Sequence, residues 1–149
     1  TITTAMPTSF KVELLKGLHD FTASTGDVFK LALVKATAAG AGTYGAASTN
    51  YSDITGNTDE VTSSGYTAGG DTITSVTPVA DSTSAVCDFA DVTWSGVTFT
   101  SCGGMIYNTS NSNSACAVLS FGGDQTVSSG DFQIQFPAAA SATAIIRLV

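Results

Sequence analysis

Positive charge is almost missing from this chain. Among 149 residues only Lys11, Lys16, Lys30, Lys35 and Arg147 are basic. None stands between Ala36 and Ile146, a span that carries Asp53, Asp59, Glu60, Asp71, Asp81, Asp88, Asp91, Asp124 and Asp131. A nucleic-acid binder needs a basic stripe to neutralise phosphates. Direct contact with a genome is therefore not expected. Charged residues of both signs make up 11% of the chain, against about 25% in an average globular domain. The net charge is −7. The basic opening segment either meets an acidic partner surface or is simply solvated, since surface charge mainly tunes solubility and association rate.

Other shortages narrow the chemistry. His19 is the only histidine, so any serine or cysteine triad would have to use it. It falls at the end of a short helix, where a surface position is expected, and no Gly-x-Ser-x-Gly elbow exists. Cys87, Cys102 and Cys116 are an odd number with no zinc spacing. They read as reduced, mostly buried thiols of a protein folding in a cytosol, with one disulfide and a free thiol as the alternative. No stretch approaches the roughly 20 apolar residues of a membrane span, and Thr1 to Phe10 has no signal-peptide pattern. Thr1 reads as the residue left by a removed initiator Met. No metal or cofactor is implied.

What the chain does have is 43% apolar residues, more than a disordered chain carries, set among abundant Ser, Thr and Gly. One domain spanning 1–149 is expected, with residues 1–22 as an N-terminal arm and helix. Phe10, Leu14, Leu18 and Phe21 fall on one helical face, Ser9 can cap, and Gly17 limits the helix to two or three turns. The helix either packs over one end of a sheet or reaches a neighbouring subunit. From Asp27 the period becomes two. Phe29, Leu31 and Leu33 alternate with Lys30, Ala32 and Val34, as in a half-buried strand. Ala36 to Ser52 and Thr55 to Asp71 read as long loops. Strands are then expected at Thr72–Val79, at Ala85–Trp94 with a bulge near Asp88–Asp91, and around Val97 and Phe99. Further strands are expected at Met105–Tyr107, Ala115–Phe121, Asp131–Phe136 and Ala144–Val149. Gly103-Gly104 and the Gly-Asp steps at 70, 123 and 130 read as turns. Seven or eight short strands predict a mainly β fold, an antiparallel β-sandwich or jelly roll, with one short N-terminal helix.

Several motifs imitate chemistry. Gly40-Ala41-Gly42-Thr43-Tyr44-Gly45 matches the dinucleotide fingerprint by letters, but no helical period follows to hold a pyrophosphate. Asp88 with Asp91, and Asp59 with Glu60, are carboxylate pairs of the kind that serve glycoside hydrolysis or calcium. Solvated turns are the simpler reading. Asn50-Tyr51-Ser52 and Asn108-Thr109-Ser110 are sequons by pattern alone. Trp94 reads as a core anchor rather than a sugar platform.

An ordered set of segments runs nearly the whole chain. It comprises Ser9-Phe10-Lys11, the strand Asp27 to Val34, Asp59-Glu60-Val61, and Gly65-Tyr66-Thr67-Ala68-Gly69-Gly70. Asp88 to Trp94, Phe121-Gly122-Gly123-Asp124-Gln125 and Gly130 to Phe136 complete it. In order and spacing it resembles a family of small virion structural proteins of tailed bacteriophages. The resemblance implies a β-sandwich subunit that decorates (cements) the capsid, or a head-to-tail component. It implies no catalytic residues, so the chain is not expected to be an enzyme. The Ala- and Gly-rich stretch Ala36 to Ala47 departs from the family pattern.

The expected partners are a major capsid protein or other virion proteins and further copies of the chain, as trimer or dimer, with no nucleic acid and no membrane. The expected location is the virion, after synthesis in the host cytoplasm. Candidate contact residues are Phe10, Lys11 and Leu14 on the helix and Tyr44, Tyr51 and Tyr66 in the long loops. Two alternatives stand beside the decoration protein: a neck or tail component, and a receptor- or glycan-binding fibre module using those tyrosines.

Overall fold

The period-two segments form strands, and the computed structural model describes residues 1–149. In chain order the elements are α1 (Thr8–Leu15), β1 (Phe29–Lys35), α2 (Ser52–Gly56), β2 (Asp71–Ile73), β3 (Ser75–Asp81), β4 (Ser84–Phe89), β5 (Val92–Asn108), β6 (Ser114–Ile134) and β7 (Ile146–Leu148). They build a four-stranded sheet in the order β2-β1-β5-β6 and a three-stranded sheet in the order β3-β4-β7. Every pairing is antiparallel. This is the mainly β, two-sheet architecture expected from the alternation, with its short N-terminal helix.

The strand boundaries differ from the expectation in an instructive way. Gly103-Gly104 is no turn. Both glycines lie inside β5, a strand of 17 residues paired along its length with the 21-residue β6. A Cβ on Gly103 would overlap the Leu119 carbonyl oxygen, and one on Gly104 would come within 2.9 Å of the Ala32 carbonyl oxygen. These glycines let three backbones approach closely. Gly122-Gly123 and Gly130 likewise lie within β6. The expected strand Thr72–Val79 is two strands, because the chain changes sheets at Thr74. Ala85–Trp94 is also two, broken at Ala90-Asp91.

β1 is buried on both faces, not one. Phe29, Leu31 and Leu33 enter a core with Phe10, Phe21, Phe89 and Trp94. Ala32 and Val34 enter a second core on the opposite face, with Tyr44, Ile54, Met105 and Val118. The long loop after β1 therefore covers the sheet instead of leaving it to solvent, and it contains the unexpected single-turn helix α2.

α1 is shorter than the apolar stripe suggests. It starts after Pro7, not at a Ser9 cap; the Ser9 hydroxyl donates instead to the Ser48 carbonyl. Gly17, at φ +69°, turns the chain out of the helix. Leu18 is consequently exposed, while Phe21 rejoins the core from the following loop and stacks on Phe29 at 4.5 Å. The N-terminal segment is held by its own chain. The Ala5 and Val118 amides and carbonyls pair at 3.0 and 2.9 Å, and the Thr3 amide donates to the Tyr44 carbonyl. The helix therefore takes the packed position, not that of a free arm.

Backbone proximity at Gly103 gives a direct test. Gly103→Ala is expected to cost more than about 2 kcal/mol in urea unfolding, because it overpacks against backbone. Gly56→Ala meets open space and should stay within about 0.5 kcal/mol of the parent.

Candidate functional site

The glycine-rich loop at 40–45 does bind an anion, but one from its own chain. The Ala41 and Gly42 amides donate to the Asp59 carboxylate at 3.0 and 2.7 Å, and the Tyr44 hydroxyl donates at 2.7 Å. Lys35 Nζ lies 3.7 Å away. Successive amides in such a loop form an anion-binding concavity, and here Asp59 fills it completely. Burial by itself would raise the Asp59 pKa. The hydrogen bonds from Tyr44, Gly42 and Ala41, with the Lys35 charge, outweigh burial and hold it below the usual carboxylate range. The same phenol is pushed well up by burial and by the adjacent carboxylate.

Glu60 does the equivalent on the other side of the strand-like segment. Its Oε2 accepts from the Tyr51 hydroxyl at 2.6 Å, and its Oε1 accepts from the Tyr66 hydroxyl at 2.8 Å and the Gly69 amide at 2.6 Å. The Leu33 amide donates to the Tyr66 oxygen. Tyr107 stacks on Tyr51 at 4.6 Å and donates to the Gly69 carbonyl. Burial and the Glu60 charge push its phenol up to about 12. The expectation of solvated turn carboxylates at Asp59-Glu60 does not hold, because Asp59 is buried and Glu60 is bonded on both oxygens. The two carboxylates instead serve two separate networks within the fold.

A third polar cluster resembles a nucleophilic relay. His19 is not at the surface: its side chain is fully buried. Its Nε2 lies 2.6 Å from Glu13 Oε2, and Asn108 Nδ2 approaches Nδ1 at 2.9 Å. This network places the ring proton on Nε2, facing the carboxylate. Cys116 Sγ is 3.8 Å from Nδ1. A working nucleophile needs a thiolate and room for a substrate. Cys116 has no exposed surface. Burial, with the Glu13 and Asp27 charges, pushes its thiol far up, and Sγ contacts the Ser114 carbonyl. Asn108 also donates to Asp27 and accepts from the Ser110 and Asn111 amides. The cluster ties α1 to the β5–β6 turn. No local pattern could reveal it, since Asn108 and Cys116 lie 89 and 97 residues from His19.

The remaining candidates resolve individually. Phe10, Tyr44 and Tyr66 are buried and cannot present contact surface, because core packing and the carboxylate networks hold them inside. Tyr51 is half-buried under the same constraint. Lys11 is exposed and Leu14 half-buried, and these two line a surface groove. Asp88 and Asp91 bond to the Phe89 and Phe136 amides, and no group of three ligating side chains gathers around them. Trp94 is a core residue as expected, although its indole N–H lacks an acceptor. The three cysteines are free: Cys102 and Cys116 are buried and Cys87 half-buried. Asn108, the acceptor position of its sequon, is buried as well.

No protein-family model matches the chain, and neither a curated protein nor a solved structure matches it. No helix is long and apolar enough to cross a membrane.

Two measurements check these assignments. Because its folded pKa is depressed, Asp59 contributes stability that is complete above its unfolded value of about 3.9 and is lost as pH falls through the folded value. Asp59→Asn should therefore unfold with about 2–3 kcal/mol less stability at pH 7, and the gap should narrow in the same urea titration at pH 3. Burial pushes the Cys87 thiol up to about 11 and raises Cys102 and Cys116 too. Alkylation read by mass spectrometry at pH 8 should label the native chain slowly at every cysteine and label all three after denaturation.

Proposed function

We propose that the chain is a virion structural subunit of a tailed bacteriophage, acting as a capsid decoration protein that stabilises the head through protein–protein contacts. The phage assignment rests on the ordered segments from Ser9 to Phe136 that resemble that family. The observation that carries the structural role is where the reactive side chains go. Asp59, Glu60, His19 and Cys116 are all engaged within the fold. The outer faces left to partners are rich in Thr, Ser, Gly and Ala, with scattered carboxylates and with exposed apolar residues such as Leu15, Val79 and Leu148. Such faces order at little side-chain entropy cost, and many weak contacts then add through avidity. A glycan-binding fibre module needs exposed aromatics, and the loop tyrosines that could have served face inward.

Quantitative mass spectrometry of purified particles, with binding of the purified chain to empty capsids, tests the proposal. Copy numbers in the hundreds with saturable capsid binding are expected. A dozen copies or fewer would move the chain to the neck or tail, and absence from particles would refute the virion role.

A further inference from the structure

The hydrogen-bond frame around His19 holds the ring in one protonation state, and Asn108 decides which. Asn108 Oδ1 accepts from the Ser110 and Asn111 amides at 2.9 and 3.2 Å, and a backbone N–H can only donate. These two amides fix the side chain with Nδ2 turned toward His19. Nδ2 has two hydrogens. One goes to Asp27 Oδ2 at 2.7 Å and the other to His19 Nδ1 at 2.9 Å. Nδ1 is therefore an acceptor, and the single ring proton lies on Nε2, 2.6 Å from Glu13 Oε2.

A second proton has no place in this frame. On Nδ1 it would point at the Asn108 N–H. The other polar atom near Nδ1 is Cys116 Sγ at 3.8 Å, a weak acceptor. Flipping the Asn108 amide would offer Nδ1 an oxygen, but it would set Nδ2 against two amides and Oδ1 against the Asp27 carboxylate. Phe10 and Phe21 pack on the ring, which has no exposed surface, so water does not reach it. The titratable groups facing it are Glu13 from α1, Asp27 behind Asn108 and Cys116 from β6. Asp20 turns its carboxylate to the Thr22 amide, and β5 supplies only the neutral Asn108. The carboxylates attract a second proton, while the hydrogen-bond frame excludes it from the closed arrangement. We propose that His19 is a pH latch: when its ring takes a second proton, Asn108 lets go and the Ser110–Asn111 end of the β5–β6 turn opens.

The turn depends on its hydrogen bonds. Ser112 and Asn113 both have positive φ, 50° and 61°, a conformation that costs energy outside glycine. At its far end the Ser112 and Asn113 carbonyls accept from Asn50 Nδ2 and the Tyr51 amide, so that end stays docked. Ser110, Ser112 and Asn113 are exposed, and the latch makes the shape of this surface depend on pH. The proton acts as a ligand of the open form. Across the range in which an exposed histidine charges, the open fraction rises by up to about tenfold per pH unit. The inference concerns the chain by itself and stands whether or not the chain decorates a capsid.

Nitrogen NMR of the imidazole and amide hydrogen exchange, each at about pH 7.5 and about pH 5.5, test the latch on the full chain. Exchange rates are divided by the intrinsic rate at each pH. The Nε2–H tautomer is expected at the higher pH, and a ring carrying both protons at the lower. Protection of the Ser110 and Asn111 amides should fall about tenfold or more between them, while the central β1 amides keep theirs. His19→Gln offers Asn108 an acceptor and Glu13 a donor without a titrating proton, and it retains both carboxylates. It should hold its protection at both pH values, which separates the histidine from the titration of Glu13 and Asp27. If His19→Gln misfolds, the wild-type imidazole signals and amide protection decide by themselves. An Nδ1–H tautomer, a doubly protonated ring at the higher pH, protection indifferent to pH, or an equal loss in folded His19→Gln would each overturn the latch.

Discussion

Two adjacent carboxylates hold the second face of the central sheet closed. Asp59 and Glu60 sit on a segment that extends the sheet beside the end of β1, where the Lys35 amide meets the Asp59 carbonyl and the Val61 amide meets the Leu33 carbonyl. From there Asp59 gathers the loop at 40–45 and Glu60 gathers the loop at 66–69. Loops rich in Gly, Ala and Thr have few apolar side chains with which to anchor themselves. They need hydrogen bonds to a fixed point, and bonds to an ionised acceptor are roughly twice as strong as neutral ones. The loops so tethered bring Tyr44 and Tyr51 against Ala32, Val34, Met105 and Val118 on that side of the sheet.

The consequence is a slab closed on both sides. One face of the four-stranded sheet packs on the aromatic core shared with β4 and β7, and the other packs beneath the tethered loop and α2. The N-terminal segment covers the β6 edge near Val118. The outer part of the β5–β6 ribbon extends past the end of β1, whose last residue pairs with Ser101. Its apolar residues Trp94, Phe99 and Phe132 still pack inward. A rigid body whose polar chemistry is directed inward is suited to being one unit among many, which is the role proposed for it.

Charge is distributed to match. Acidic residues dominate the long basic-free span, while Lys11 and Arg147 meet at the groove between α1 and β7. Arg147 and Lys11 are more than 130 residues apart in the chain, so their convergence is a product of the fold.

Period-two patterning determined the fold class. The alternation at Phe29–Val34 and at Asp131–Phe136 needs only the strand geometry that sends successive side chains to opposite faces; the first became β1, and the second, as far as Ile134, became the end of β6. Composition also placed Trp94 and two of the three cysteines in the interior. The tertiary structure alone decided what the glycines, the histidine and the carboxylate pair do. Gly103 is a turn residue or a close-approach residue depending on whether another backbone lies beside it, and that backbone belongs to Leu119. His19 is solvated or buried depending on Asn108 and Cys116, which arrive from a hairpin far along the chain. Tyr44 and Tyr66 read as exposed loop aromatics until Asp59 and Glu60 draw their hydroxyls inward. Local sequence sets the period of a segment, whereas the burial of a polar side chain depends on partners that only folding brings within hydrogen-bond reach.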